Sequence, residues 1–150
     1  MLTIEISNRQ SSVRCDARRM HQAAEAILRD AGVSDARLSL AVVDDPTIHQ
    51  LNRRFLDHDF PTDVLSFLLE REGDRLEGEV IVSADTAARA AAEYAWPADD
   101  ELLLYVIHGT LHLVGHDDAS PDERAAMREQ ERRYLVQFGL EPPAEPQANG

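Results

Sequence analysis

The sequence predicts an α/β domain built on a four-stranded mixed sheet, with elements in the order β-α-β-α-β-β-α-α-α. Three observations carry that prediction. Short segments alternate apolar and polar residues with the period of half-buried strands, whereas longer ones repeat apolar residues at helical spacing. A helix between the first two strands makes them plausible parallel neighbours, and a short link between the third and fourth suits an antiparallel hairpin. The chain has 150 residues, which suits one domain that buries about 68–70% of its unfolded surface. The expected limits are residues 1–140 for that domain and 141–150 for a proline-rich, polar, disordered tail.

Leu2-Thr3-Ile4-Glu5-Ile6 alternates as the first strand. From about Val13 to Ala31, Met20, Ala24, Ile27, Leu28 and Ala31 follow helical spacing and Gly32 closes the helix. Leu38, Leu40 and Val42 mark a second strand over 37–43. Asp45-Pro46 reads as a helix start, aspartate capping free N–H groups and proline suiting the first turn. Ile48, Leu51 and Phe55 form the expected buried stripe of that helix. Asp57-His58-Asp59-Phe60-Pro61 ends it; three consecutive loop side chains diverge, so Asp-His-Asp is a poor ligand set.

Thr62 to Phe67 or Leu69 reads as a third strand, residues 71–78 as a polar turn, and Glu79 to Ser83 as a fourth strand. Asp85 opens an alanine-rich helix that stops before Pro97, its small face suited to close packing on a neighbouring helix. The neighbour is the helix expected from about Glu101 to Val114, with Asp99-Asp100-Glu101 at its positive N-terminal end. Ser120-Pro121-Asp122-Glu123 is a capping box that opens a last helix running to about Phe138, closed by Gly139. No repeat is visible.

The net charge is −13, and every basic residue other than histidine is arginine. Such acidity argues against a broad electrostatic grip on nucleic acid, although a local arginine patch in a groove remains compatible with it. One cysteine, Cys15, excludes an internal disulfide and fits a reducing compartment. The N-terminal segment has no basic head or long apolar core, and the apolar run Leu102 to Ile107 is too short to span a bilayer. The cytoplasm is the expected location, with no membrane association.

The chemistry concentrates in His108-Gly109-Thr110-Leu111-His112-Leu113-Val114-Gly115-His116-Asp117-Asp118. Two histidines four apart on a helix advance about 6 Å and return to nearly the same face, so both imidazoles reach one ion. Gly115 stands where a left-handed residue commonly ends a helix. The chain turning there offers His116, Asp117 or Asp118 as a third ligand. Three ligands and an open position characterise catalytic zinc, so the motif points to a metal-dependent hydrolase. The spacing is that of zinc peptidases, but Gly109 occupies the place of their glutamate base.

Together with that motif, Leu51-Asn52, Pro61-Thr62-Asp63-Val64-Leu65-Ser66-Phe67 and Gly78-Glu79-Val80-Ile81-Val82-Ser83 resemble the YbeY family over roughly residues 2–138. The family comprises bacterial rRNA maturation factors regarded as zinc-dependent, single-strand-specific endoribonucleases. The resemblance implies one Zn2+ per chain, action on small-subunit rRNA 3′ ends and in ribosome quality control, and ribosomal RNA, the small subunit and its assembly proteins as partners, with no DNA.

Two departures accompany it. The family's third histidine falls on Asp118 and its usual tyrosine on His116. His108, His112 and Asp118 are therefore the expected metal ligands, with His116 the alternative third. The arginine that family members carry for RNA phosphate falls on Leu56. Arg53 is then the candidate replacement, with Arg54 beside it. Asp63 is the candidate to orient a ligand or water, and Thr62 and Ser66 are expected to line the cleft.

The reaction so implied is attack of metal-bound water on an RNA phosphodiester. A metal-stabilised ribosome-assembly factor without catalytic activity is the alternative, and a zinc peptidase a weaker one.

Overall fold

The computed structural model describes residues 1–143, and the expected tail beyond residue 143 lies outside the described residues. The order of elements is the predicted one: β1 Leu2–Asn8, α1 Ala17–Asp30, β2 Asp35–Val43, α2 Asp45–Leu56, β3 Val64–Glu72, β4 Arg75–Ser83, α3 Ala84–Tyr94, α4 Ala98–Leu113 and α5 Pro121–Val136. The sheet runs β1-β2-β4-β3. β2 is parallel to both β1 and β4, and β3 is an antiparallel edge strand.

Strand alternation decides which face is covered. Ala36, Leu38, Leu40 and Val42 of β2 and Leu76, Val80 and Val82 of β4 are buried and join one core with α1, α4 and α5. Side chains two apart line one face of a strand, so this register gives a continuous apolar floor. The opposite face carries a smaller cluster around Val43, Ile48 and Leu65, covered by α2.

α4 lies on the floor, with α1, α3 and α5 packed around it. Leu102, Leu103, Tyr105, Val106, Ile107, Leu111 and Leu113 are all buried. At about 1.5–3 kcal/mol for each fully buried large aliphatic side chain, this helix is a main source of cohesion.

Several local expectations are corrected. α1 begins at Ala17, capped by Asp16, whose side chain accepts from the Arg19 N–H. Asp44 rather than Asp45 caps α2, accepting from the Thr47 N–H. Asp45 instead binds Ser83 Oγ at 2.6 Å, Thr86 Oγ1 at 2.8 Å and the Arg89 guanidinium at 2.8 Å. Ser83 caps α3, which begins at Ala84 with Asp85 in its first turn.

Phe55 is 58% exposed, so it does not complete the stripe of α2. The buried position is Asn52, whose amide donates to Phe60 O at 2.9 Å and ties down the following loop. The polar stretch 71–78 is mostly strand: β3 and β4 pair as far as Glu72 and Arg75 around a turn in which Gly73 has φ +57°. An edge hairpin tolerates polar residues on both sides because neither side is fully covered.

Candidate metal centre

His108 and His112 are held by a helix fitted closely to the sheet. A Cβ at Gly109 would lie 2.6 Å from Val80 Cγ1, 2.9 Å from Ser66 Oγ and 3.0 Å from Val64 Cγ2. Glycine at 109 is thus demanded by the approach of α4 to β3 and β4. Ser66 fastens the contact by donating its hydroxyl to Gly109 O at 3.0 Å. The residue expected to line the cleft therefore joins two elements, and a glutamate in the position of a peptidase base has no room.

After α4 the chain reverses through Gly115, which has φ +104°. The His116 N–H donates to Leu111 O at 3.0 Å and the Gly115 N–H to His112 O at 3.1 Å, satisfying carbonyls at the helix end. This turn brings Asp118 back to the two imidazoles.

His108 Nε2 and His112 Nε2 are 3.1 Å apart, and Asp118 Oδ2 lies 3.4 Å and 3.5 Å from them. Zinc bonds of about 2.0–2.1 Å at tetrahedral angles put ligand atoms about 3.3–3.4 Å apart, so the donor set fits one ion. His108, His112 and Asp118 are the group that can hold a metal among the described residues, and His116 is outside it.

A fourth residue, missed in the sequence, supports the set. Glu131 Oε2 on α5 lies 2.8 Å from His108 Nδ1. A carboxylate there fixes the proton on Nδ1 and turns the Nε2 lone pair toward the other donors. Glu131 stands four residues after Met127 and three before Tyr134, both buried. A carboxylate on the apolar face of a helix was the signal that could have found it.

Burial by itself would depress the His108 imidazolium. The Glu131 hydrogen bond and the charges of Glu131, Asp118 and Asp63 outweigh it and raise the pKa above its ordinary 6.5. Glu101, 4% exposed, is pushed up to about 7 by burial, against the Trp96 indole N–H donated at 3.0 Å and aided by the charges of Asp63 and Glu131. So much negative charge around two imidazoles is suited to a divalent cation.

The cleft has two halves that share Asp63, His108 and Asp118. One runs along β3 past Leu56, Ser66, Leu68 and His112; the other extends between α3, α4 and α5. Asp63 accepts the Val64 N–H at 2.8 Å and lies 3.3 Å from the Thr62 hydroxyl, so it caps the start of β3 as well as facing the cleft. Thr62, expected to line the cleft, is outside the residues lining either half. Arg53 is exposed in the last turn of α2, and Arg54 lies over the Phe55 ring at 5.3 Å; neither lines these halves. Leu56, Phe60, Leu68 and Leu69, with Phe55, are the exposed apolar residues on α2, the loop after it and β3. In the loop, His58 stacks on Phe60 and His49 pairs with Asp59 at 2.9 Å.

Comparison with known proteins shows the family of the chain. A family described as Endoribonuclease YbeY matches residues 5–139. A protein of Rhodopirellula baltica named Endoribonuclease YbeY is 48% identical over 124 residues, 81% of this chain and 64% of that one. One of the same name from Syntrophotalea carbinolica is 42% identical over 134 residues, 86% and 89% of the two chains. The solution structure of TM1509 from Thermotoga maritima, 24% identical, has the same fold, with a TM-score of 0.63 over 99% of both chains.

Proposed function

Because the chain belongs to the YbeY family, we propose that it is a zinc-dependent, single-strand-specific endoribonuclease. Its substrate is ribosomal RNA, its tasks the maturation of small-subunit rRNA 3′ ends and ribosome quality control, and its partners the small subunit and its assembly proteins. The cytoplasm is the setting; among the described residues no helix is long and apolar enough to cross a membrane.

The observation that carries the reading is the convergence of His108 Nε2, His112 Nε2 and Asp118 Oδ2 within one open cleft. We assign these atoms to one Zn2+. When bound, such an ion lowers the pKa of a coordinated water and polarises a phosphoryl oxygen. A carboxylate as third ligand leaves less positive charge than a third imidazole, so the acidification is weaker.

The chain's own groups do the rest. Glu131 holds the proton on His108 Nδ1. Asp63, the carboxylate common to both halves outside the donor set, orients the attacking water. Arg53, exposed on the last turn of α2 and outside the lining of the cleft, supplies charge to RNA that extends past it. Ser66 keeps β3 against α4, and Thr62 borders the entrance.

The test is cleavage of single-stranded RNA by the zinc-loaded chain and by His112→Ala, with circular dichroism to verify folding. Loss of cleavage in a folded variant supports the reading, whereas full activity sinks it. The exposed apolar residues around Phe60 and Leu68 favour a second reading, an assembly factor whose metal only stabilises the turn after Gly115. It expects no cleavage by the native chain and a lower melting temperature in the ligand variants. A peptidase has the least support, since Gly109 is packed against Val80.

A further inference from the structure

Beyond His108 and Asp118 the cleft opens into a hollow of about 560 Å3 between α3, α4 and α5. Its lining is mixed: Tyr94 and Leu104 supply apolar surface from α3 and α4, and Arg124, Arg128 and Arg132 supply cations from α5. The arginines stand at i, i+4 and i+8 on α5, rising along one helix face in steps of about 6 Å. Glu131, which holds His108, shares that face, so the arginine stripe runs beside the metal centre. All three are exposed, in a chain of net charge −13.

We infer that this hollow is a nucleotide subsite. The base next to the scissile phosphate rests against Tyr94 and Leu104, and the guanidinium groups of Arg124 and Arg128 hold an adjoining backbone phosphate. The inference rests on the RNA-cleaving reading above and adds the course of the strand.

Three physical arguments support it. An acidic protein that binds a polyanion needs cations concentrated along the path of the strand, because its overall field repels the ligand. Arg124 and Arg128 are such cations, and guanidinium forks match phosphate oxygens in pairs. Arg124 already donates to Ala119 O at 3.4 Å but has five N–H groups to share. Arg132 pairs with Glu141 at 2.8 Å. The inner end holds Asp63, Glu101, Asp118 and Glu131 and so repels phosphate until a metal is bound. An apolar wall with an aromatic ring accepts the face of any base, as a single-strand enzyme without sequence preference requires.

The experiment uses the zinc-loaded full chain and a short, fluorescein-labelled 2′-O-methyl single strand, followed by anisotropy at several salt concentrations. Cleavage of the unmodified strand is measured in parallel. The variants are Arg124→Gln with Arg128→Gln, and, as a control of equal charge change, Arg29→Gln with Arg37→Gln.

The expected result is affinity at least about tenfold weaker in the α5 pair. The plot of log affinity against log salt becomes shallower by about 0.7 per arginine removed, with zinc content intact and the control pair much less affected. A native chain that binds and cleaves while the α5 pair keeps its affinity and slope overturns the subsite alone. Equal losses in the control pair overturn it too, because net charge then explains the effect. A native chain that neither binds nor cleaves removes the nuclease reading and the subsite with it.

Discussion

Glu131 Oε2 lies 2.8 Å from His108 Nδ1, across the interface of α5 and α4. The two residues are 23 positions apart, and their contact decides which ring nitrogen of His108 faces the donor triangle. Removing that carboxylate's charge leaves the ligand in place but less basic. Glu131→Gln is expected to weaken zinc binding about 10- to 100-fold while the fold persists. Competition with a colorimetric chelator measures this, and unchanged affinity would show that the contact is only structural.

Elemental analysis of ligand variants identifies the third donor. The native chain is expected to carry about one zinc, His116→Ala to keep it and Asp118→Ala to lose most of it. Retention in Asp118→Ala with loss in His116→Ala would transfer the third ligand to His116.

Gly109 is a packing position. Gly109→Ala places a methyl group 2.6 Å from Val80 Cγ1, a contact relieved by a shift of α4 or of the packed side chains of β3 and β4. The expected cost is about 1–3 kcal/mol, read from urea unfolding with the m-value unchanged. Gly109→Glu is expected to give misfolded protein and no peptidase activity; a folded variant that digests casein would contradict this account of the site.

Asp45 anchors α2 to α3. Burial works to raise its pKa, but hydrogen bonds from Ser83, Thr86 and Arg89 and the Arg89 charge prevail, leaving it below the ordinary 3.8. A depressed carboxylate pKa contributes stability above the unfolded value that is lost as pH falls through the folded one. Asp45→Asn is expected to lower stability by about 1–3 kcal/mol at neutral pH. Its deficit should narrow as pH falls below the ordinary 3.8 and close only below the lower folded value, where the native carboxylate is protonated as well. Melting curves across that range check it, and a deficit independent of pH would place the effect in packing.

Much of the fold was legible because its signals are local. The alternation of Leu38, Leu40 and Val42 and the capping box at Ser120–Glu123 need only neighbouring residues, and both stand in the structure. Failures came where a distant element intervened. Asp45 reads as a cap until β4 and α3 bring Ser83 and Thr86 to it. Phe55 fits a helical stripe, yet no element covers it, and its ring meets the edge of Phe67 at 5.8 Å and the Arg54 guanidinium at 5.3 Å.

The sequence by itself determined the order of elements and the family resemblance. It also put His108 and His112 on one face of a helix, since a spacing of four is a property of the helix alone. Tertiary structure decided the rest of the site. The turn at Gly115 brings Asp118 rather than His116 into the donor triangle. The approach of α4 to Val80 and Ser66 accounts for glycine at 109, and the docking of α5 brings Glu131 to His108 and its arginines to the cleft. These are contacts between residues far apart in the chain, and periodicity along a single element carries no information about them.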